Sequence, residues 1–66
     1  MTFNKIRVYI NPKGYKDFIC SSVSMRTTSS GYNAVVIGGA NDGQEIKNVR
    51  GASVIDEVNG TQRRLF

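Results

Sequence analysis

The segment KIRVYI, residues 5–10, alternates Ile6, Val8 and Ile10 with Lys5, Arg7 and Tyr9. A period of two with β-branched residues at the apolar positions predicts a strand with one dry face and one wet face. NPKG follows. Pro12 presets φ for the first corner of a type I turn, Asn11 suits the position before it, and Gly14 suits the left-handed residue that closes a three-residue loop with a bulge. If Asn11 pairs with Tyr15, Val8 faces Phe18 and Ile6 faces Cys20, so one face of the hairpin is apolar on both strands. A two-residue loop would set Val8 against Asp17, and a one-residue slip turns every side chain to the opposite face. The apolar match selects the bulged loop, and Lys5, Arg7, Tyr9, Asp17 and Ile19 are expected to share the outer face.

The next strand is expected through YKDFICSSVSMR, with its polar middle, CSSVS, bent or at an edge. TTSSG reads as a loop, and YNAVVIGG is a short valine-rich run that predicts a central strand. ANDG is a turn whose register stays open. A three-residue loop over Asn41-Asp42-Gly43 sets Val35 opposite Val49, whereas a two-residue turn at Asn41-Asp42 sets Ile37 opposite Ile46. In the last sixteen residues, Asn59-Gly60 predicts a hairpin that sets Asp56 against Arg63 and Val54 against Leu65. A helix across EIKNVRGASVIDEV would place Ile46, Val49 and Ala52 at helical spacing, but Gly51 and the β-branched content oppose it.

The sum is an all-β chain. A small meander of five or six short antiparallel strands is expected, closing into an SH3-like or OB-like barrel or left as an open sheet completed by dimerisation. Closure would also remove the exposed edges that endanger a small sheet.

Length changes this picture by limiting the core. The 66 residues predict one domain, residues 1–66, and a domain of this size hides only about 60 % of the surface its unfolded chain exposes. Apolar residues make up 39 % of the chain, so self-association into a homodimer is a natural route to stability. Cys20 is the sole cysteine and there is no histidine, which leaves no internal disulfide and no plausible zinc ligand set; no metal or cofactor is expected. The opening MTFNKIRVYI carries no apolar run long enough for a signal peptide, no segment suffices to span a membrane, and a cytoplasmic location is the expectation.

Charge narrows the partners. Nine Lys and Arg against five Asp and Glu give a net charge of +4, which favours anionic partners and argues against an acidic nucleic-acid mimic. The same charge also serves solubility alone. Catalysis has no footing: Cys20 is expected inside with no base near it, and the adjacent Asp56 and Glu57 point to opposite faces of a strand. GGANDGQ lacks both the Gly-Lys-Ser/Thr ending of a P-loop and the GxGxxG spacing of a dinucleotide fingerprint, and a hairpin turn accounts for every residue in it. Gly38 and Gly39 mark a bulge or a close backbone approach.

What remains is binding. Lys5, Arg7 and Tyr9 on one strand face, Tyr15 and Lys16 near the first turn, and Arg26 before the next loop interleave cations with aromatics. Small β domains hold single-stranded nucleic acid this way, with bases on rings and cations along phosphates. A solvated strand face carries the same residue types without any such role. The alternative is a protein–protein interaction module anchored by Tyr9, Arg7 and the outward Ile19. It would be a small regulator or inhibitor, of the kind mobile genetic elements carry, acting on a larger host protein, or a homo-oligomeric structural protein. The terminal QRRLF is expected either to add Arg63 and Arg64 to a basic patch while Leu65 and Phe66 cap the core, or to form a docking tail.

Overall fold

A computed structural model describes residues 3–66; Met1 and Thr2, which begin the segment read for a signal peptide, lie outside the described residues. The described chain is all-β, with strands β1 (Asn4–Ile10), β2 (Tyr15–Cys20), β3 (Ser22–Thr28), β4 (Gly31–Ile37), β5 (Glu45–Ile46), β6 (Val49–Asp56) and β7 (Thr61–Arg64). They form two antiparallel sheets, one ordered β2-β1-β6-β7 and the other β3-β4-β5. Among the described residues no helix is long and apolar enough to cross a membrane.

The core lies between the sheets. Ile6 and Val8 of β1, Phe18 and Cys20 of β2, and Val49 and Ala52 of β6 meet Val23 of β3, Ala34 and Val36 of β4, and Ile46 of β5. The parity expected for the opening strand holds: Ile6 and Val8 are fully buried and Ile10 packs against the core, while Lys5, Arg7 and Tyr9 stand on the other side. β4 is the central strand of its sheet, as its valine-rich sequence predicts.

A closed barrel is not formed among the described residues. The segment expected as one bent strand instead breaks at Ser21 and passes from one sheet to the other, and the chain crosses back at residues 47–48, between β5 and β6. β5, at one edge of the smaller sheet, is two residues long and offers too few backbone groups to join a neighbouring edge. The stretch 45–58, weighed above as a helix, supplies β5 and β6.

Three registers differ from expectation. In the first hairpin Tyr9 faces Tyr15, Val8 faces Lys16 and Ile6 faces Phe18, a shift of two residues that preserves the buried face. The amide of Asn11 donates to the Asn48 carbonyl at 3.0 Å, so it does not close the hairpin; Ile10 N donates to Gly14 O instead, around a cis Asn11-Pro12 bond. In the last hairpin Asp56 faces Thr61, and Arg63 faces Val54 in place of Asp56. The Asp56 carboxylate accepts from the Val58 and Asn59 amides, both at 3.1 Å, and from Asn59 Nδ2 at 2.8 Å, which makes it a turn cap instead of a cross-strand partner. Neither register offered for the ANDG turn occurs: Val35 faces Glu45 and Ala34 faces Ile46, while Val49 pairs with Ile10 in the other sheet.

Gly38 and Gly39 are a close approach. Both have positive φ, and a Cβ on Gly39 would overlap the Ile19 carbonyl oxygen at the corner where β2 ends. Of the two readings of the terminal residues, the packing half of the first holds: Leu65 and Phe66 pack against the core, and Leu65 N donates to Ala52 O at 2.8 Å.

Candidate functional site

The outer face of the four-stranded sheet gathers four of the six residues singled out above. Side chains alternate across a strand, so Lys5, Arg7 and Tyr9 of β1 stand beside Ile19, Asp17 and Tyr15 of β2 in register. On the other flank of β1 stand Ile55, Ser53 and Gly51 of β6, and beyond them Gln62 and Arg64 of β7.

The middle of this face is ionic and internally paired. Arg7 Nε donates to Asp17 Oδ1 at 2.9 Å and Nη2 to Oδ2 at 3.2 Å, a two-pronged grip. The hydrogen bond from Arg7 holds the Asp17 carboxyl below the usual carboxylate range, with Lys5 adding to the effect, and Asp17 raises Arg7 in turn. Lys5 Nζ lies 3.2 Å from Glu57 Oε1 and 3.8 Å from Asp17 Oδ2. Two of the four cations expected to track phosphates, Lys5 and Arg7, are therefore already paired, with Asp17 on the face where it was expected and with Glu57, which spacing along the chain did not bring there.

The aromatic end differs. The Arg7 guanidinium carbon sits 4.1 Å from the Tyr15 ring centroid. Tyr9 and Tyr15 meet edge to face, centroids 6.4 Å apart, and Tyr15 remains 55 % exposed. On its other side Tyr9 has the Arg50 guanidinium carbon 5.5 Å from its ring centroid, and its hydroxyl donates to Gln62 Oε1 at 3.4 Å. Beside Tyr9 opens a trough of about 410 Å³ lined by Tyr9, Arg50, Gly51, Ala52, Ser53, Gln62 and Arg64. A register shift in the β1–β6 pairing, between Tyr9 and Ile10, leaves Arg50 as an extra residue; Val49 and Ala52 both face inward and Gly51 faces out. Arg64 Nε donates to the Phe66 carbonyl at 3.1 Å, which steadies its guanidinium. Among the described residues neither Arg50 nor Arg64 has a carboxylate side chain within ion-pairing distance.

The remaining two candidates are elsewhere. Lys16 is exposed but shares the β2 side that carries Phe18 and Cys20, opposite to Tyr15. Arg26 belongs to β3 in the other sheet, where Nη1 lies 3.8 Å from Glu45 Oε2. Arg50, Gly51 and Arg64 were missed as a group. The signal that could have found them is Gly51 inside an apolar strand pattern, since a lone strand glycine often marks a bulge or a close backbone approach.

Cys20 is buried, and burial pushes its thiol up from its ordinary value. Among the described residues no group of three or more His, Cys, Asp or Glu side chains is placed to hold a metal ion. No family model matches the chain, and neither the curated proteins nor the solved structures contain a match to it.

Proposed function

We propose that this chain is a non-enzymatic binding module that takes single-stranded nucleic acid across the Tyr9–Tyr15 end of its four-stranded sheet. One observation carries the reading: Tyr9, edge to face with a Tyr15 that is more than half exposed, lines a trough with two arginines that have no Asp or Glu partner among the described residues. Rings and cations in that juxtaposition are what sequence-tolerant strand binding requires, with about 1–3 kcal/mol for each stacked base. Relative to the reading from sequence, the phosphate contacts move from Lys5, Arg7, Lys16 and Arg26 to Arg50 and Arg64.

The test is fluorescence anisotropy with a short labelled oligothymidylate and its RNA counterpart. Binding at low salt, weakening steeply between about 50 and 200 mM, supports the reading, and Tyr9→Ala together with Tyr15→Ala should remove binding while leaving the fold intact. Failure of both strands to bind at low salt ends it.

A protein partner is the second reading, favoured by one feature. At the opposite end of the same face Phe3 and Ile19 are 48 % and 59 % exposed, apolar anchors of the sort that protein interfaces cover. The partner would be a larger host protein that the module regulates or inhibits, or a second copy. A lysate pull-down with and without nuclease separates the two classes, and light scattering detects the second copy.

A further inference from the structure

We propose that the trough over Gly51 is a seat for one phosphate group of the bound strand, held between Arg50 and Arg64. The proposal rests on the nucleic-acid reading for its ligand, and its own footing is the glycine. Gly51 does not have positive φ, so its backbone does not require glycine. What glycine supplies here is space. A Cβ at Gly51 would stand 3.1 Å from the Phe66 backbone oxygen, which accepts from Ala52 N, and 3.8 Å from Nη2 of Arg64, a residue that lines the trough with Gly51. Any larger side chain would press on Arg64 in the trough that Gly51 lines.

The charges favour an anion there. Arg64 is positioned by its bond to the Phe66 carbonyl, and Arg50 by its place over the Tyr9 ring. A guanidinium offers several N–H donors in a planar fork that matches phosphate oxygens. Farther along the face Arg7 and Lys5 are ion-paired, so no continuous row of free cations leads away from the trough. The seat is thus local, with Tyr9 at its edge and Tyr15 beyond it for the adjoining bases. At about 410 Å³ the trough lies within the range of small-ligand sites, room for a phosphate together with part of its sugar.

The experiment uses oligothymidylate of about eight nucleotides, the scale of a small β-domain site. Variants are Gly51→Val, Gly51→Ala, Arg50→Gln with Arg64→Gln, and a charge-matched control carrying Arg26→Gln and Lys47→Gln. The arginine pair should cost about tenfold or more in affinity and should flatten the salt dependence by roughly 1.4 in log–log slope, about 0.7 for each lost contact on a single strand. Gly51→Val should weaken binding comparably while its melting curve stays cooperative; should it fail to fold, Gly51→Ala and the arginine pair carry the test. The control should change neither slope nor affinity by as much. If the strand binds the Gly51 and arginine variants as it binds the parent protein, the seat is refuted while the nucleic-acid reading stands. If the parent binds no strand, inorganic phosphate is titrated against the Arg50 and Arg64 Nε resonances. Saturable shifts then support an anion seat with a different source of phosphate, and their absence refutes it.

Discussion

Arg7 grips both carboxylate oxygens of Asp17, at 2.9 and 3.2 Å, while its guanidinium lies over the Tyr15 ring. One acidic residue thereby occupies the most central cation of the exposed face and also draws Lys5 toward it. The charge that a count of lysines and arginines assigns to this strand is not available to a ligand while Asp17 is ionised. This carboxylate determines whether Arg7 is free to act on a ligand, while Lys5 is held by Glu57 as well.

Asp17→Asn should therefore turn the middle of the face into a phosphate-binding surface. Anisotropy with a single strand should register tighter binding and a steeper salt dependence, by roughly 0.7 in slope as Arg7 is released, since Lys5 keeps Glu57 at 3.2 Å. An unchanged slope would mean that the strand does not run past Arg7.

Acid should destabilise the fold through two carboxylates. Asp17 is held low chiefly by Arg7, and Asp56 by the side chain and backbone of Asn59. Because their folded values lie below the unfolded value near 3.9, both stabilise above that pH, and the contribution is lost as pH falls through the folded values. Melting temperature should decline below about pH 4, and Asp17→Asn with Asp56→Asn should flatten the decline. Carbon-detected NMR titration should show these two carboxyls titrating at lower pH than an ordinary aspartate.

Two glycines of one loop should behave differently. Gly39→Ala sets a Cβ against the Ile19 carbonyl and adds a positive-φ penalty, so a loss of at least about 2 kcal/mol is expected in denaturant melts. Gly43 also has positive φ, yet its Cβ direction is open, so Gly43→Ala should cost only about 1 kcal/mol. Equal losses would show that the corner under Gly39 relaxes freely.

Core packing sets the remaining expectation. Ile6 and Cys20 are fully buried between the sheets. Ile6→Ala should destabilise by about 2–5 kcal/mol, a large share of what a domain of this size has. The Cys20 thiol should resist a neutral thiol reagent in the native state and react on unfolding, as followed by absorbance against denaturant. Rapid native-state labelling would show that the β2 end of the core opens readily.

The alternation of Ile6, Val8 and Ile10, the turn residues at 11–14 and the valine-rich run of β4 made strand content and the buried face of the opening strand legible. Bulge, register and sheet membership were not, because each depends on residues far away in sequence. Asn48 takes the Asn11 amide 37 residues away, and β6, not the neighbouring β3, pairs with β1; the Asp56 cap by Asn59 is the local exception. Of the six candidate residues, Lys5, Arg7, Tyr9 and Tyr15 share one face, and alternation along β2 puts Lys16 on the opposite side with Phe18 and Cys20. Tyr15, Lys16 and Arg26 were added by nearness to turns, which does not determine a direction, and of these only Tyr15 joins the face.

By itself the sequence determined which side chains of β1 and β2 turn inward, since the direction of a strand side chain is a local matter of period two. Only the tertiary structure decided which cations remain without partners and where a trough opens. Glu57 reaches Lys5, Gln62 reaches Tyr9, and Arg64 comes to lie beside Gly51, all through sheet pairings between distant segments. Coulombic and steric contacts act over a few ångströms in space, and no spacing along the chain encodes them.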